Sequence, residues 1–438
     1  MRYLSTRQAA DDRNSVALED AIMSGTAPDG GLYVPVELPS YKPEDFNGID
    51  SINELAAKML QPFFAGSALE GLLGEICEEA FTFDAPVRML KEGDNEALSV
   101  LELFHGPTAA FKDFGARFLA SCMTRIAAQR QLSSPLTVLV ATSGDTGGAV
   151  AAAFHGKPGV RVIVLFPEGR VSARQQHQLT CWGDNITSLS VRGEFDDCQR
   201  IVKELFADQS LVEQHNLCSA NSINVGRLLP QSVYYAHASL DYYRKTGKPT
   251  NFVVPTGNLG NAFACAWAKS MGFPIGDIVL ATNANRTIPE FLASGEWSPR
   301  ASVATLASAM DVGNPSNMER LRNLWGEADS LNDKLRSFSV TDEQIREQIV
   351  AEFAEDSIAW CPHTATAFYV FRHDLADEEK AAGHWSLVAT ADAAKFEDIV
   401  EPLVNVTLPV PDELEQLLKL PAAFDTVDNQ SAAVAAYL

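Results

Sequence analysis

The sequence is short of positive charge: 34 Lys and Arg stand against 57 Asp and Glu, a formal net charge of −23. That balance argues against nucleic acid, which needs a basic footprint, and against an anionic membrane surface. It leaves room for a small anionic ligand in a local cationic pocket, built from helix N-termini and a few arginines. Cysteine is sparse and unpatterned. Cys77, Cys122, Cys181, Cys198, Cys218, Cys265 and Cys361 are odd in number, widely spaced and without a C-x-x-C pair. Reduced thiols in a cytoplasmic protein are the expectation. No apolar run approaches the roughly 18 residues of a membrane span, and the opening MRYLSTRQAADDRN lacks the apolar stretch of a secretory signal. There is no H-E-x-x-H, Cys/His cluster or EF-hand spacing, so no metal ligands are expected. There is no Walker A loop or G-x-G-x-x-G, which argues against a nucleotide cofactor. A Ser–His–Asp triad has no supporting G-x-S-x-G.

What is present is an ordinary globular composition in 438 residues, 46% hydrophobic and 21% charged, long enough for two or three packed units. Internal repeats are not visible. Residues 1–98 read mainly as helices: SVALEDAIMSG, SINELAAKMLQPFF and ALEGLLGEICEEAF all place apolar residues at helical spacing. LSVLELF then reads as a strand. From residue 112 short apolar runs (LTVLVATSG, VRVIVLFPEG, ITSLSVRG, NFVVPTGN, DIVLATNAN) alternate with helical segments. That pattern predicts an α/β fold with open, mostly parallel sheets covered on both faces. A smaller α/β domain is expected over 99–240 and a larger one over 241–438, ending in a mixed C-terminal embellishment with HWSLVATAD as one last core strand.

Strand-to-helix turns carry the chemistry. Where a strand ends and a helix begins, backbone N–H groups point outward, and glycine lets an anion approach them. ATSGDTGG (141–148) and VPTGNLGN (254–261) are both such turns, at strand carboxyl ends where open α/β sheets bind ligands.

The run LELFHGPTAAFKDFG, ATSGDTGGA, NSIN with Arg three residues on, VPTGNLGN, ATNANRT and SAMDVGNPSN resembles threonine synthase of the bacterial and fungal form, from the N-terminus to about residue 400. The resemblance implies the tryptophan-synthase-β type (fold type II) of pyridoxal 5'-phosphate (PLP) enzyme. It also implies one reaction, O-phospho-L-homoserine plus water to L-threonine plus phosphate. Carried over residue by residue, Lys112 matches the Schiff-base lysine. Gly257, Asn258, Leu259, Gly260 and Asn261 match the loop around the cofactor phosphate. In the commoner GNFGD pattern an aromatic stands at Leu259 and an acid at Asn261, but backbone donors do not depend on those side chains. Thr142, Ser143, Gly144, Asp145 and Thr146 match the loop that receives the substrate carboxylate. Asp145 does not suit a carboxylate, so it is assigned either a loop-ordering hydrogen bond or a helix N-cap. Thr390, in VATADAAKF, matches the threonine that meets the pyridine nitrogen, although the family's GTAHPAKF is altered here.

A substrate phosphate needs cations. Arg227, following Asn221, Ser222 and Asn224, is the first choice, because guanidinium pairs with phosphate through two bonds. Arg174 is a second, equally readable as a surface-helix residue. His105 and His363 are near enough in sequence to touch the site, and a structural role is the simpler reading of each. Two rival readings remain: a related PLP phospholyase that releases a 2-oxo acid, and a non-catalytic binding protein on the same fold. Oligomeric state stays open.

Overall fold

The computed structural model describes residues 1–8, 14–91, 97–132 and 134–438; residues 9–13, inside the opening segment discussed above, lie outside it. The chain begins with strand β1 (Tyr3–Ser5), helix α1 (Leu18–Ser24), β2 (Tyr33–Pro35), α2 (Ile52–Phe64) and α3 (Leu73–Ala80). Strands β3 (Val87–Lys91) and β4 (Ala97–Glu102) lead to α4 (Lys112–Arg130). An alternating stretch follows: β5 (Leu136–Ala141), α5 (Asp145–Phe154), β6 (Val160–Pro167), α6 (Ala173–Thr180), β7 (Ile186–Val191), α7 (Phe195–Ala207), α8 (Gln209–His215), β8 (Leu217–Cys218) and α9 (Val225–Thr246). The second half carries β9 (Thr250–Pro255), α10 (Gly260–Ser270), β10 (Ile275–Thr282), β11 (Leu335–Ser339), β12 (His384–Ala389) and β13 (Asp425–Val427), with further helices between them.

Among the described residues the strands form a two-stranded ribbon β1-β2, a six-stranded sheet in the order β11-β10-β9-β12-β4-β3, and a five-stranded sheet in the order β13-β7-β6-β5-β8. Every pairing in the two larger sheets is parallel except β3 with β4. Helices cover both faces, so β5 is apolar or small along its length and wholly buried. Local signals set the helix ends. Ser51 caps α2 by accepting from Asn53 N, and Ser172 with Gln175 forms a capping box on α6. Gly247 closes α9 in the left-handed conformation at φ 70°.

The boundaries expected near residues 98 and 240 do not follow the sheets. β4 pairs with β12, which lies in the last third of the chain, and β13 returns from the C-terminus to extend the smaller sheet beside β7. The mainly helical first hundred residues also carry strands β1, β2 and β3. β3 is an edge strand with a half-exposed burial pattern and two basic residues; it lacks the apolar alternation by which a strand is read. The smaller and larger sheets point the carboxyl ends of β5, β9 and β12 at one cavity of about 1070 Å³.

Candidate active site

Lys112 opens α4, and its place is set by the β4–β12 pairing. Beyond β4 the chain runs alongside the end of β12: Leu103 N donates to Ala389 O at 2.9 Å, Phe111 N to Thr390 O at 2.8 Å, and Asp392 N to Ala109 O at 3.1 Å. Thr108 completes the turn, its N–H and hydroxyl both donating to the Asp113 carboxylate at 2.8 and 2.7 Å. Lys112 and Thr390 therefore meet at the cavity wall. The Lys112 Nζ donates to Thr146 Oγ1 at 2.8 Å. Burial pulls its amine down to about 8; Arg227 and Lys395 push the same way and Asp145 opposes them. The consequence is a lysine with a sizeable neutral fraction near neutral pH, which imine formation and proton transfer both require.

The turn after β5 is organised by Thr142. Its Oγ1 accepts from Gly144 N at 3.0 Å and Gly147 N at 2.9 Å, and donates to Gly144 O at 3.1 Å. That hydroxyl is spent on the loop, so the side-chain donors facing the cavity are Ser143 and Thr146. Gly144 adopts φ 139°, and a Cβ there would stand 2.6 Å from Gln175 Nε2. Asp145 is the first residue of α5 but does not cap it. It forms an ion pair with Lys395 at 2.6 Å and accepts from Gln175 Nε2 at 3.0 Å. Burial alone would raise its carboxyl; Lys395 and Lys112 more than offset that and hold it well below the usual carboxylate range. The N-cap alternative for Asp145 is thus replaced by an ion pair that crosses from one sheet to the other.

The turn after β9 is a second cradle. A Cβ at Gly257 would stand 2.6 Å from Met310 Cα, so no larger residue fits without moving backbone. Leu259 takes the left-handed conformation at φ 62° and leads into α10. The Asn258 side chain is occupied, donating to Ser222 Oγ at 2.7 Å and accepting from Ser316 N at 2.6 Å. Asn261 is oriented by two phenols: Tyr234 and Tyr235 both donate to its Oδ1. Its buried Nδ2 has no hydrogen-bond partner among the described residues, and the same is true of Arg227 Nε. Both residues line the cavity. Both nitrogens are themselves buried, and Arg227 Nε lies against α4, where a Cβ on Gly115 would stand 2.8 Å from it.

Asn221, Ser222 and Arg227 also line the cavity, and Arg227 Nη1 is anchored on Ala220 O at 2.7 Å. Asn224 and Gly144 are not lining residues. The Asn224 amide is consumed in starting α9: it accepts from Gly226 N at 3.0 Å and donates to Ile22 O at 2.8 Å and Ser219 O at 3.1 Å. Arg174 does not reach the cavity, and donates instead to Ala394 O at 2.6 Å. His105 turns away to Glu102 at 2.7 Å. His363 lines the cavity, yet its Nε2 accepts from Ala309 N at 3.1 Å. Burial pulls it down to about 4, so it is neutral and anchors the loop that backs Gly257.

Three groups had no place in the sequence reading. Lys395 is wholly buried and also donates to Thr108 O at 2.7 Å; it lies inside VATADAAKF, five residues after Thr390. Met310 and Asp311, in SAMDVGNPSN, belong to the cavity wall, with Asp311 held by Asn283 Nδ2 at 2.7 Å and Thr305 Oγ1 at 2.7 Å. Burial raises Asp311 to about 7 against those hydrogen bonds.

The comparisons with known proteins agree with this geometry. A family model described as pyridoxal-phosphate dependent enzyme matches residues 86–390. Models described as threonine synthase N terminus and threonine synthase, C-terminal match residues 2–81 and 364–438. The threonine synthase of Escherichia coli (strain K12) is 38% identical over 413 residues, covering 94% of each chain. Its solved structure superposes with a TM-score of 0.88 at 36% identity, covering 100% of this chain and 99% of that one. A PLP-bound threonine synthase from Brucella melitensis superposes with a TM-score of 0.88 at 33% identity, covering 100% and 98%. The half-buried, neutral-prone lysine and the Gly257 cradle fit the cofactor those models imply. The chain belongs to the threonine synthase family and is a PLP-dependent enzyme.

Proposed function

We propose that the cavity beside Lys112 converts O-phospho-L-homoserine and water to L-threonine and phosphate. One observation carries the reading: a buried amine shares its cavity with three separate sets of anion donors. The reaction has three anions to hold, namely the cofactor phosphate, the substrate carboxylate and the substrate phosphate.

Lys112 would hold PLP covalently, Gly257 to Asn261 would hold its phosphate through backbone N–H groups, and Thr390 would face its ring nitrogen. When bound, PLP supplies an electron sink for the carbon beside the substrate amine. The protein supplies the rest. The hydroxyls of Ser143 and Thr146 and the N–H groups of Ser143, Asp145 and Thr146 orient the substrate carboxylate. Asp145 orders that loop through Lys395 and leaves carboxylate binding to its neighbours. Arg227, with Asn221 and Ser222, holds the substrate phosphate in place as it departs, while Asn224 secures the start of the helix that bears Arg227. The Lys112 Nζ, when neutral, takes the proton from the α carbon and can return it, since one base serves several steps when one proton moves at a time. Thr146 Oγ1 fixes where that amine points. The buried thiols and the charge of −23 support a cytoplasmic setting with a small anionic substrate and no nucleic acid.

The test is a side-by-side assay of the purified protein and Lys112→Ala with O-phospho-L-homoserine. The expected result is threonine and phosphate in equal amounts from the first and neither from the second. Release of 2-oxobutyrate and ammonia in place of threonine would overturn the reading in favour of a phospholyase, and a protein that never takes up PLP would favour a binding role.

A further inference from the structure

Arg320 lies on the helix Met318–Trp325, wholly buried, and does not line the cavity. No carboxylate pairs with it among the described residues. Its sequence neighbour Glu319 is engaged elsewhere, by Arg7 Nε at 3.0 Å and Nη2 at 3.1 Å. A buried guanidinium without a counter-charge is expensive to desolvate, so what it holds matters. Each of its three nitrogens donates in a different direction: Nε to Tyr33 O at 3.0 Å, Nη1 to Asn317 Oδ1 at 2.7 Å, and Nη2 to Ile223 O at 2.7 Å. Those acceptors belong to three segments, β2, the start of the Arg320 helix, and the loop before α9.

The second link is Asn317, also wholly buried. With Oδ1 fixed by Arg320, its Nδ2 donates to Asn258 O at 2.9 Å and to Ser222 O at 3.4 Å. Asn258 and Ser222 are themselves joined, Nδ2 to Oγ, at 2.7 Å. One buried cation and one buried amide thus stand behind both the 221–224 loop and the 257–261 loop. Gly260 is packed into the same knot, with the Asn317 Nδ2 3.7 Å and the Ser222 Cβ 3.6 Å from where its Cβ would be.

We infer that Arg320, acting through Asn317, is a positioning residue that sets the spacing between the two phosphate loops. The inference rests on the reading of those loops given under Proposed function. Arginine suits the task because its planar fork donates along divergent directions at once, which an ammonium on a flexible stem cannot reproduce. Its charge, buried close to both loops, also favours anions in the cavity. Because one knot serves both loops, disturbing it must move both affinities together.

The experiment compares wild type, Asn317→Ala and Arg320→Lys. Three quantities are read: the half-saturating concentration of PLP for the apoprotein, the Kd of inorganic phosphate for the holoenzyme by calorimetry, and KM against kcat. Asn317→Ala leaves the Arg320 bonds to Tyr33 and Ile223 in place, so it decides the matter if Arg320→Lys does not fold. The expected result is a rise of fivefold or more in the PLP, phosphate and KM values of Asn317→Ala, with kcat within threefold, and a larger rise for Arg320→Lys. A folded Asn317→Ala with wild-type PLP and phosphate constants overturns the inference, as does a change in one constant without the other. The PLP and phosphate titrations need no turnover. A wild type that makes no threonine therefore defeats the functional reading while the two titrations still judge Arg320 and Asn317.

Discussion

The Asp145–Lys395 pair offers a sharp test, because both ends are buried, the Lys395 side chain fully and Asp145 at 4% exposure. Lys395→Met leaves Asp145 in the interior with Gln175 Nε2, at 3.0 Å, as its remaining side-chain donor. The other acceptor of Lys395, Thr108 O, keeps Gln178 Nε2 at 3.1 Å, so little is lost there. Breaking one side of a buried ion pair costs about 3–5 kcal/mol, most of it the charge left behind. Asp145→Asn strands the lysine in the same way. The double variant strands neither, so its cost should fall short of the sum of the two single costs by roughly 2–3 kcal/mol. The assay is urea unfolding of the wild-type apoprotein and the three variants, followed by tryptophan fluorescence, which keeps cofactor linkage out of the comparison. Strict additivity, within about 0.5 kcal/mol, would refute the pairing. The pH dependence gives a second check. The Asp145 carboxyl is held below its unfolded value by Lys395 and Lys112 against the opposing effect of burial, so its contribution is fully present above about pH 4 and is lost as pH falls further. The gap between wild type and Lys395→Met should be level from about pH 5 to 8 and shrink in acid.

Three further outcomes follow from the site. With the Lys112 amine pulled down to about 8 by burial, capture of PLP by the apoprotein should accelerate as pH rises from about 6.5 and level off above about 9; a flat profile in stopped-flow absorbance would contradict this. Arg227→Lys keeps a charge at the cavity wall but loses the guanidinium fork; KM for O-phospho-L-homoserine should rise about tenfold or more, consistent with loss of one charge-assisted hydrogen bond, and an unchanged KM would remove Arg227 from phosphate binding. Gly257→Ala drives a methyl to 2.6 Å from Met310 Cα; a stability loss of about 1–3 kcal/mol is expected, with weaker PLP retention, measured by denaturation and by dialysis.

Much of the site is legible in the chain because its pieces are local. A strand that runs into a glycine turn and then a helix is readable residue by residue, and Thr142–Thr146 and Gly257–Asn261 do stand at the ends of β5 and β9. Lys395 is different. Within VATADAAKF a lysine two residues before an acidic helix reads as solvated, and only the return of β12 beside β4 brings it to Asp145, 250 positions earlier. Asp145 was legible as polar and at a helix start, but its partner was not. Asn224 was read toward the ligand and is spent on a cap, because a short amide can serve either and the backbone decides.

By itself the sequence determined the α/β alternation and the two turns shaped for anions, since each rests on contacts within about ten residues, whereas Lys112 stood out through the family resemblance of the motifs around it. The tertiary structure decided which chemistry each residue is available for. Thr142, Asn224 and the Asn258 amide turn inward to build loops, while Ser143, Thr146 and Arg227 are left lining the cavity. Arg320, nearly a hundred residues from Ile223, came to stand behind both phosphate loops. The physical reason is that a buried donor must be satisfied by whatever lies within about 3 Å, and that distance is set by packing of chain segments far apart in sequence.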